Sequence, residues 1–144
     1  MEKFLPYLDS IGISNRPLLD RIEFLYKIAQ FLCPEEIEDI FVTDFINNEG
    51  ERNYENLWFF SQNFVTEAHN FSSTYHVDVA PIDRIYRLEL SFDNYNFKKA
   101  TPSSKATVRF KIQEEIRGNL KASGYNCDSL KDILTKHLKP LISK

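Results

Sequence analysis

The chain has 144 residues, 42% of them hydrophobic and 27% charged, which is enough for one domain with a sizeable core and excludes a disordered chain. Its formal charge is -3, from 18 basic and 21 acidic residues without a dense basic run, which argues against nucleic acid as a partner. Its four glycines, at 12, 50, 118 and 124, thread no G-x-G-x-x-G, P-loop or G-x-S-x-G pattern, so dinucleotide, phosphate-loop and nucleophile-elbow chemistries fall away.

In chain order, residues 18–32 predict a helix. Leu18, Ile22, Leu25, Ala29 and Leu32 share one face, Ser14 or Asn15 can cap its start, Pro17 is tolerated in the first turn, and Pro34 stops it. Phe24, Ile28 and Phe31 widen the apolar stripe. From Ile37 the period shortens to that of strands. Residues 40–46 form one, Asn47 to Gly50 a turn, and Tyr54 to Phe60 a second strand. Phe64 to Phe71, His76 to Val79 and Arg84 to Phe92 follow as strands. In the next, Ala106, Val108, Phe110 and Ile112 face inward while Lys105, Thr107, Arg109 and Lys111 face water. Inward alternation is also expected for Phe41, Phe45, Tyr86 and Phe92. Gly118 to Tyr125 predicts a last strand. A final helix runs from Asp128 or Ser129, as cap, to Leu138, with Pro140 marking its end. The expectation is an α+β single domain over residues 1–144, with a helical N-terminal addition at 1–34.

Cys33 and Cys127 lie far apart with no C-x-x-C neighbour, so buried thiols in a reducing compartment are expected. No apolar run reaches signal-peptide or membrane-span length, and a cytoplasmic protein without a transmembrane segment is expected.

The run from Gly50 through Tyr54, Leu57-Trp58-Phe59-Phe60 and Ser61 to Val65 resembles the signature of the GRAM and bacterial PH-like family, a glycine before a hydrophobic strand, a short turn and a second strand. Ile82-Asp83-Arg84-Ile85, the strand at 119–125 and the closing helix at 128–138 extend the resemblance over residues 37–139. It implies about seven antiparallel strands in a bent sheet or partly open barrel, plugged by the C-terminal helix, and a non-catalytic binding module for phosphoinositides, peptides or proteins. Phosphoinositide binders of the family usually supply Lys and Arg from the first hairpin. Here Thr43 to Arg52 carries three acids and one Arg, which would repel a phosphate cluster. Protein binding is therefore the expected role, to another protein or to a second copy of the chain. Two alternatives stand beside it: an inhibitor or immunity-type protein, and a small metal-dependent enzyme. No cofactor is indicated.

The metal alternative rests on Glu67, His69, His76 and Asp78. With a period of two, Glu67 and His69 share a strand face, as do His76 and Asp78; a hairpin closed by residues 70–75 sets the two His opposite each other. Four N and O donors would then converge, a set suited to Zn or another divalent ion; otherwise these are polar residues of two edge strands. Four consecutive large apolar residues at 57–60 put bulk on both faces of one strand. Either the first helix covers the outer face with Phe24, Ile28 and Phe31, or Trp58, Phe60 and Phe24 form an exposed patch for a partner. Lys98, Lys99, Lys105, Arg109 and Lys111 gather towards one rim as a solvated or acid-binding face. The neighbouring acids Glu35-Glu36 and Glu114-Glu115 are read as solvated rather than as acid-base pairs.

Overall fold

A computed structural model describes residues 1–113 and 116–142. The chain is α+β, with seven antiparallel strands: β1 Asp39–Ile46, β2 Arg52–Phe60, β3 Phe64–His69, β4 His76–Pro81, β5 Arg87–Asp93, β6 Lys105–Lys111 and β7 Arg117–Ser123. They fall into two hydrogen-bonded sheets in sequential order, β1-β2-β3-β4 and β5-β6-β7, and no closed barrel is formed among the described residues. No described helix is long and apolar enough to cross a membrane. Two compact units emerge, one of Met1–Val42 with Tyr54–Pro81, the other of Thr43–Asn53 with Ile82–Lys144.

In the first unit, α1 (Leu5–Ser10) and α2 (Arg16–Leu32) precede the sheet. The short α1 is an element the sequence pattern did not predict. Asn15 caps α2, its Oδ1 accepting the Leu18 N–H at 2.9 Å, and Pro17 occupies the first turn without cost. Asn15→Ala should lower stability by about 1 kcal/mol, read as a shifted urea midpoint at unchanged slope. Ile22, Leu25 and Ala29 of α2 join Leu8, Ile11, Ile40, Val42, Leu57, Phe59 and Ala68 in one buried cluster. Each fully buried Leu, Ile or Phe contributes about 1.5–3 kcal/mol of transfer free energy. Phe24 and Phe31 sit on the other side of α2 and stay exposed, Phe31 at 84%. At 100° per residue they cannot share the Ile22-Leu25-Ala29 stripe, so the aromatic half of the predicted apolar face does not cover the sheet. The β2–β3 turn is fastened by Glu35, whose carboxylate accepts from Asn63 N at 2.8 Å, Asn63 Nδ2 at 2.5 Å and Ser61 Oγ at 3.0 Å. The Asn63 side chain and backbone hold the Glu35 carboxyl below the usual carboxylate range.

In the second unit, β6 pairs Ala106, Val108 and Phe110 with Ala122, Leu120 and Gly118 of β7, and these form a buried face on which α3 (Asn126–Ile133) packs. The predicted start of this helix moves. It begins at Asn126 without a side-chain cap, and the Asp128 carboxylate accepts instead from Tyr95 Oη at 2.7 Å and Ala100 N at 3.1 Å, tying down the β5–β6 loop. Nor does Pro140 end the helix. Leu134–Leu138 widens into a π turn and the chain continues helical as α4 (Lys139–Ile142). A wider turn relieves the clash of a proline ring with the preceding turn and absorbs its missing N–H. Phe41 and Phe110 are buried as expected, whereas Phe45, Tyr86 and Phe92 are exposed. Phe92 lies on β5, an edge strand of its sheet, where it meets the Phe97 ring edge to face at 4.8 Å.

Candidate functional site

The β3–β4 hairpin assembles the four residues singled out from the sequence. Its register sets His69 opposite His76 and Glu67 opposite Asp78. Directly paired residues of antiparallel strands project to the same side, and alternation puts all four on one side. Trp58, opposite Glu67, belongs to this same side, whereas Leu57, Phe59 and Ala68 point to the helix-packed core.

The imidazoles stack with centroids 4.6 Å apart and planes inclined by 29°. His69 Nε2 lies 2.7 Å from Asp78 Oδ2 and 3.5 Å from Glu67 Oε1, and His76 Nε2 lies 3.4 Å from Asp78 Oδ1. One donor atom each from His69, His76 and Asp78 fall within 4.8 Å of one another. Glu67 is the most enclosed of the four, and burial pushes its carboxyl above the usual range; the neighbouring His69 opposes that shift while Asp78 adds to it.

The hairpin is held from outside as well. Arg21 of α2 donates through Nε to the Phe71 carbonyl, through Nη2 to Thr74 O at 2.9 Å and through Nη1 to Tyr75 Oη at 2.6 Å, with its guanidinium 3.8 Å from the Tyr75 ring centre. Asn70 turns the chain with φ 45°, a left-handed conformation that asparagine tolerates, and its N–H donates to Asn56 Oδ1. Phe24 meets Tyr75 edge to face at 5.6 Å and lines a cleft of about 550 Å³ with Pro17, Leu18, Arg21 and Ser72.

Of the two readings the sequence allows for the bulky strand 57–60, a covered face or an exposed patch, Trp58 and Phe60 take the covered one. They stack on each other at 6.3 Å and are 3% and 1% exposed, so neither presents a surface to a partner. Of the three aromatic candidates only Phe24 reaches solvent.

In the second unit, the outward face of β5-β6-β7 is a grid of charge. Its rows read Arg87–Lys111–Arg117, Glu89–Arg109–Asn119, Ser91–Thr107–Lys121 and Asp93–Lys105–Ser123. Six cations thus stand against two acids on one sheet face of a chain with an acidic balance. Glu89 is drawn to Arg87, Oε1 to Nη2 at 2.5 Å. A cleft of about 380 Å³ opens among Arg87, Arg109, Lys111, Arg117 and Asn119. Lys105, Arg109 and Lys111 were visible as a stripe in the sequence. Arg87, Arg117 and Lys121 join them only through strand register, and Lys98 and Lys99 belong to the β5–β6 loop instead.

Other reactive groups are engaged structurally. Ser61 Oγ serves the β2–β3 turn, and both cysteines are buried free thiols. Burial pushes the Cys127 thiol up to about 12, far from a reactive thiolate at neutral pH. Of the carboxylate pairs, Glu35 fastens a turn, Glu36 lies 3.9 Å from Lys3 Nζ, and Glu114-Glu115 falls outside the described residues. No family model, curated protein or solved structure matches the chain.

Proposed function

We propose that this chain is a non-catalytic, PH/GRAM-like binding module that docks an acidic protein surface on the outward face of β5-β6-β7. The observation that carries the proposal is the basic grid, six cations against two acids on one sheet face in a chain of net charge -3. Such a concentration of one sign focuses the local field, steers a complementary partner and repels like-charged ones. The family reading draws support from the seven antiparallel strands and from the terminal helix packed on β6 and β7; the strands fall into two sheets, where the resemblance implies one bent sheet or partly open barrel. An inhibitor capping a basic active site would need an acidic face, and the face described has the opposite sign. The first hairpin, with its acids, offers no phosphate cluster.

The test is a charge reversal of Arg87, Arg109 and Lys111 to Glu. Arg87 and Arg109 are exposed and Lys111 half-buried, so the variant should melt within about 0.5 kcal/mol per site of the parent. The parent is expected to retain a stoichiometric acidic protein from its source cells in low salt and release it in high salt, with the reversed variant binding that purified partner at least about tenfold more weakly. Equal binding by both proteins, or capture of anionic vesicles rather than protein, would overturn the proposal.

A further inference from the structure

We propose that Glu67, His69, His76 and Asp78 form a binding site for one divalent transition-metal ion, zinc by the chemistry of the donors, on the β3–β4 hairpin. A tetrahedral zinc with bonds of about 2.0–2.1 Å holds its ligand atoms roughly 3.3–3.4 Å apart. The separation of His76 Nε2 from Asp78 Oδ1, 3.4 Å, meets that spacing, and the 2.7 Å contact of His69 Nε2 with Asp78 Oδ2 needs to open by about half an ångström. His69, His76 and Asp78 are the group that already converges; Glu67 Oε1 stands 3.5 Å from His69 Nε2 and has to rotate inward to close the set as fourth ligand. With an ion bound, the imidazole protons sit on Nδ1 and both Nε2 lone pairs face the metal, His69 Nε2 giving up the hydrogen bond it donates to Asp78 Oδ2 in the ion-free hairpin. Two neutral imidazoles and two carboxylates make an N₂O₂ set, which suits zinc and its borderline neighbours, and the two carboxylate charges balance a divalent ion.

The site is preorganised by features independent of any ion. Strand pairing fixes the register that sets His69 against His76 and Glu67 against Asp78. Arg21 clamps the intervening connection at Phe71, Thr74 and Tyr75, and Thr74 Oγ1 donates back to the His69 carbonyl. A bound ion would cross-link β4, an edge strand of the first sheet, to β3. That cross-link stabilises the folded unit by mass action, because an unfolded hairpin does not gather the four donors. His76 and Asp78 are 66% and 61% exposed, so an ion can enter from solvent without a conformational opening.

Untagged, chelator-stripped protein is titrated with zinc chloride by calorimetry, and with cobalt(II) followed by visible absorption. Binding of one zinc per chain, a tetrahedral cobalt spectrum displaced by zinc, and a rise in Tm of roughly 5–10 °C at a hundredfold excess over Kd are expected. Because their side chains are exposed, His76→Ala and Asp78→Asn should fold like the parent and lose the one-to-one binding, with affinity falling at least about tenfold. A parent protein that takes up no zinc, or variants that bind it as the parent does, overturns the assignment. So does binding at a ratio other than one that both variants leave intact. Charge reversal on β5-β6-β7 leaves this titration unchanged, so failure here is distinguishable from failure of the protein-binding role.

Discussion

Replacing Arg52 with Met should lower the stability of the protein by about 2–3 kcal/mol at neutral pH, and the loss should shrink to under about 1 kcal/mol as the solution is acidified. Arg52 on β2 places Nε 3.2 Å from Oδ2 of Asp44 on β1, and the Asp44 side chain is fully buried. Its Oδ1 accepts from Ser123 N at 3.0 Å and from Asn126 Nδ2 at 2.8 Å, so one carboxylate ties the first hairpin to β7 and α3 within the second unit. Removing Arg52 leaves a charge that burial already penalises, a loss set below the usual figure for buried pairs because Arg52 itself is partly exposed.

The sign of the pH dependence follows from Asp44. Burial raises its carboxyl above the ordinary value, outweighing the hydrogen bonds from Asn126 and Ser123 and the charge of Arg52. An unfolded aspartate gives up its proton near pH 3.9, while the folded one still holds it there. The folded state therefore binds more protons between the two values, and stability from this group falls as pH rises through that window. Without Arg52 the folded value moves higher still. Below the unfolded value Asp44 is neutral in both proteins, and only the packing of the Arg52 stem distinguishes them. Urea melts at neutral pH and near pH 3 measure the two differences, and adding Asp44→Asn should recover much of the neutral-pH loss. A loss of equal size at both pH values would show that Arg52 acts by packing alone.

What the sequence discloses is which residues share a side; what it withholds is which side is covered. The alternation through Ala106, Val108 and Phe110 predicts β6 and its buried face, and the same period with a six-residue connection sets His69 against His76. The stripe Ile22-Leu25-Ala29 likewise marks the core side of α2. Periodicity has no means of telling that Trp58 and Phe60 are buried while Phe92 and Tyr86 are exposed, because it is silent on sheet edges and on the elements laid over a face. The basic grid is legible on β6 alone, and its width depends on pairings between residues far apart in the chain, such as Arg87 with Lys111. Asp128 reads as a helix cap by residue type, but two donors from the β5–β6 loop compete for its oxygens and win.

Gly118→Val should destabilise the second unit by about 3 kcal/mol, the upper end of what overpacking costs. Gly118 on β7 sits opposite Phe110 on β6, and the phenyl ring lies across the glycine. A Cβ at 118 would fall 2.1 Å from Phe110 Cζ and 2.2 Å from Cε1, closer than any real contact. The ring has little room to yield, since Phe110 is 3% exposed on a face against which α3 packs. Strand propensity pulls the other way, because valine is favoured over glycine in a strand by about 1 kcal/mol. The steric term must exceed that gain for the net loss to appear. Phe110→Leu alone should cost about 1–2 kcal/mol through lost burial, yet in the Gly118→Val background the shorter side chain vacates the space the new methyls need. The double variant is therefore expected to be more stable than Gly118→Val by itself, a coupling of at least about 1 kcal/mol in a thermodynamic cycle of urea melts. Additive losses would mean that the ring swings clear of residue 118 and that the glycine is there for another reason.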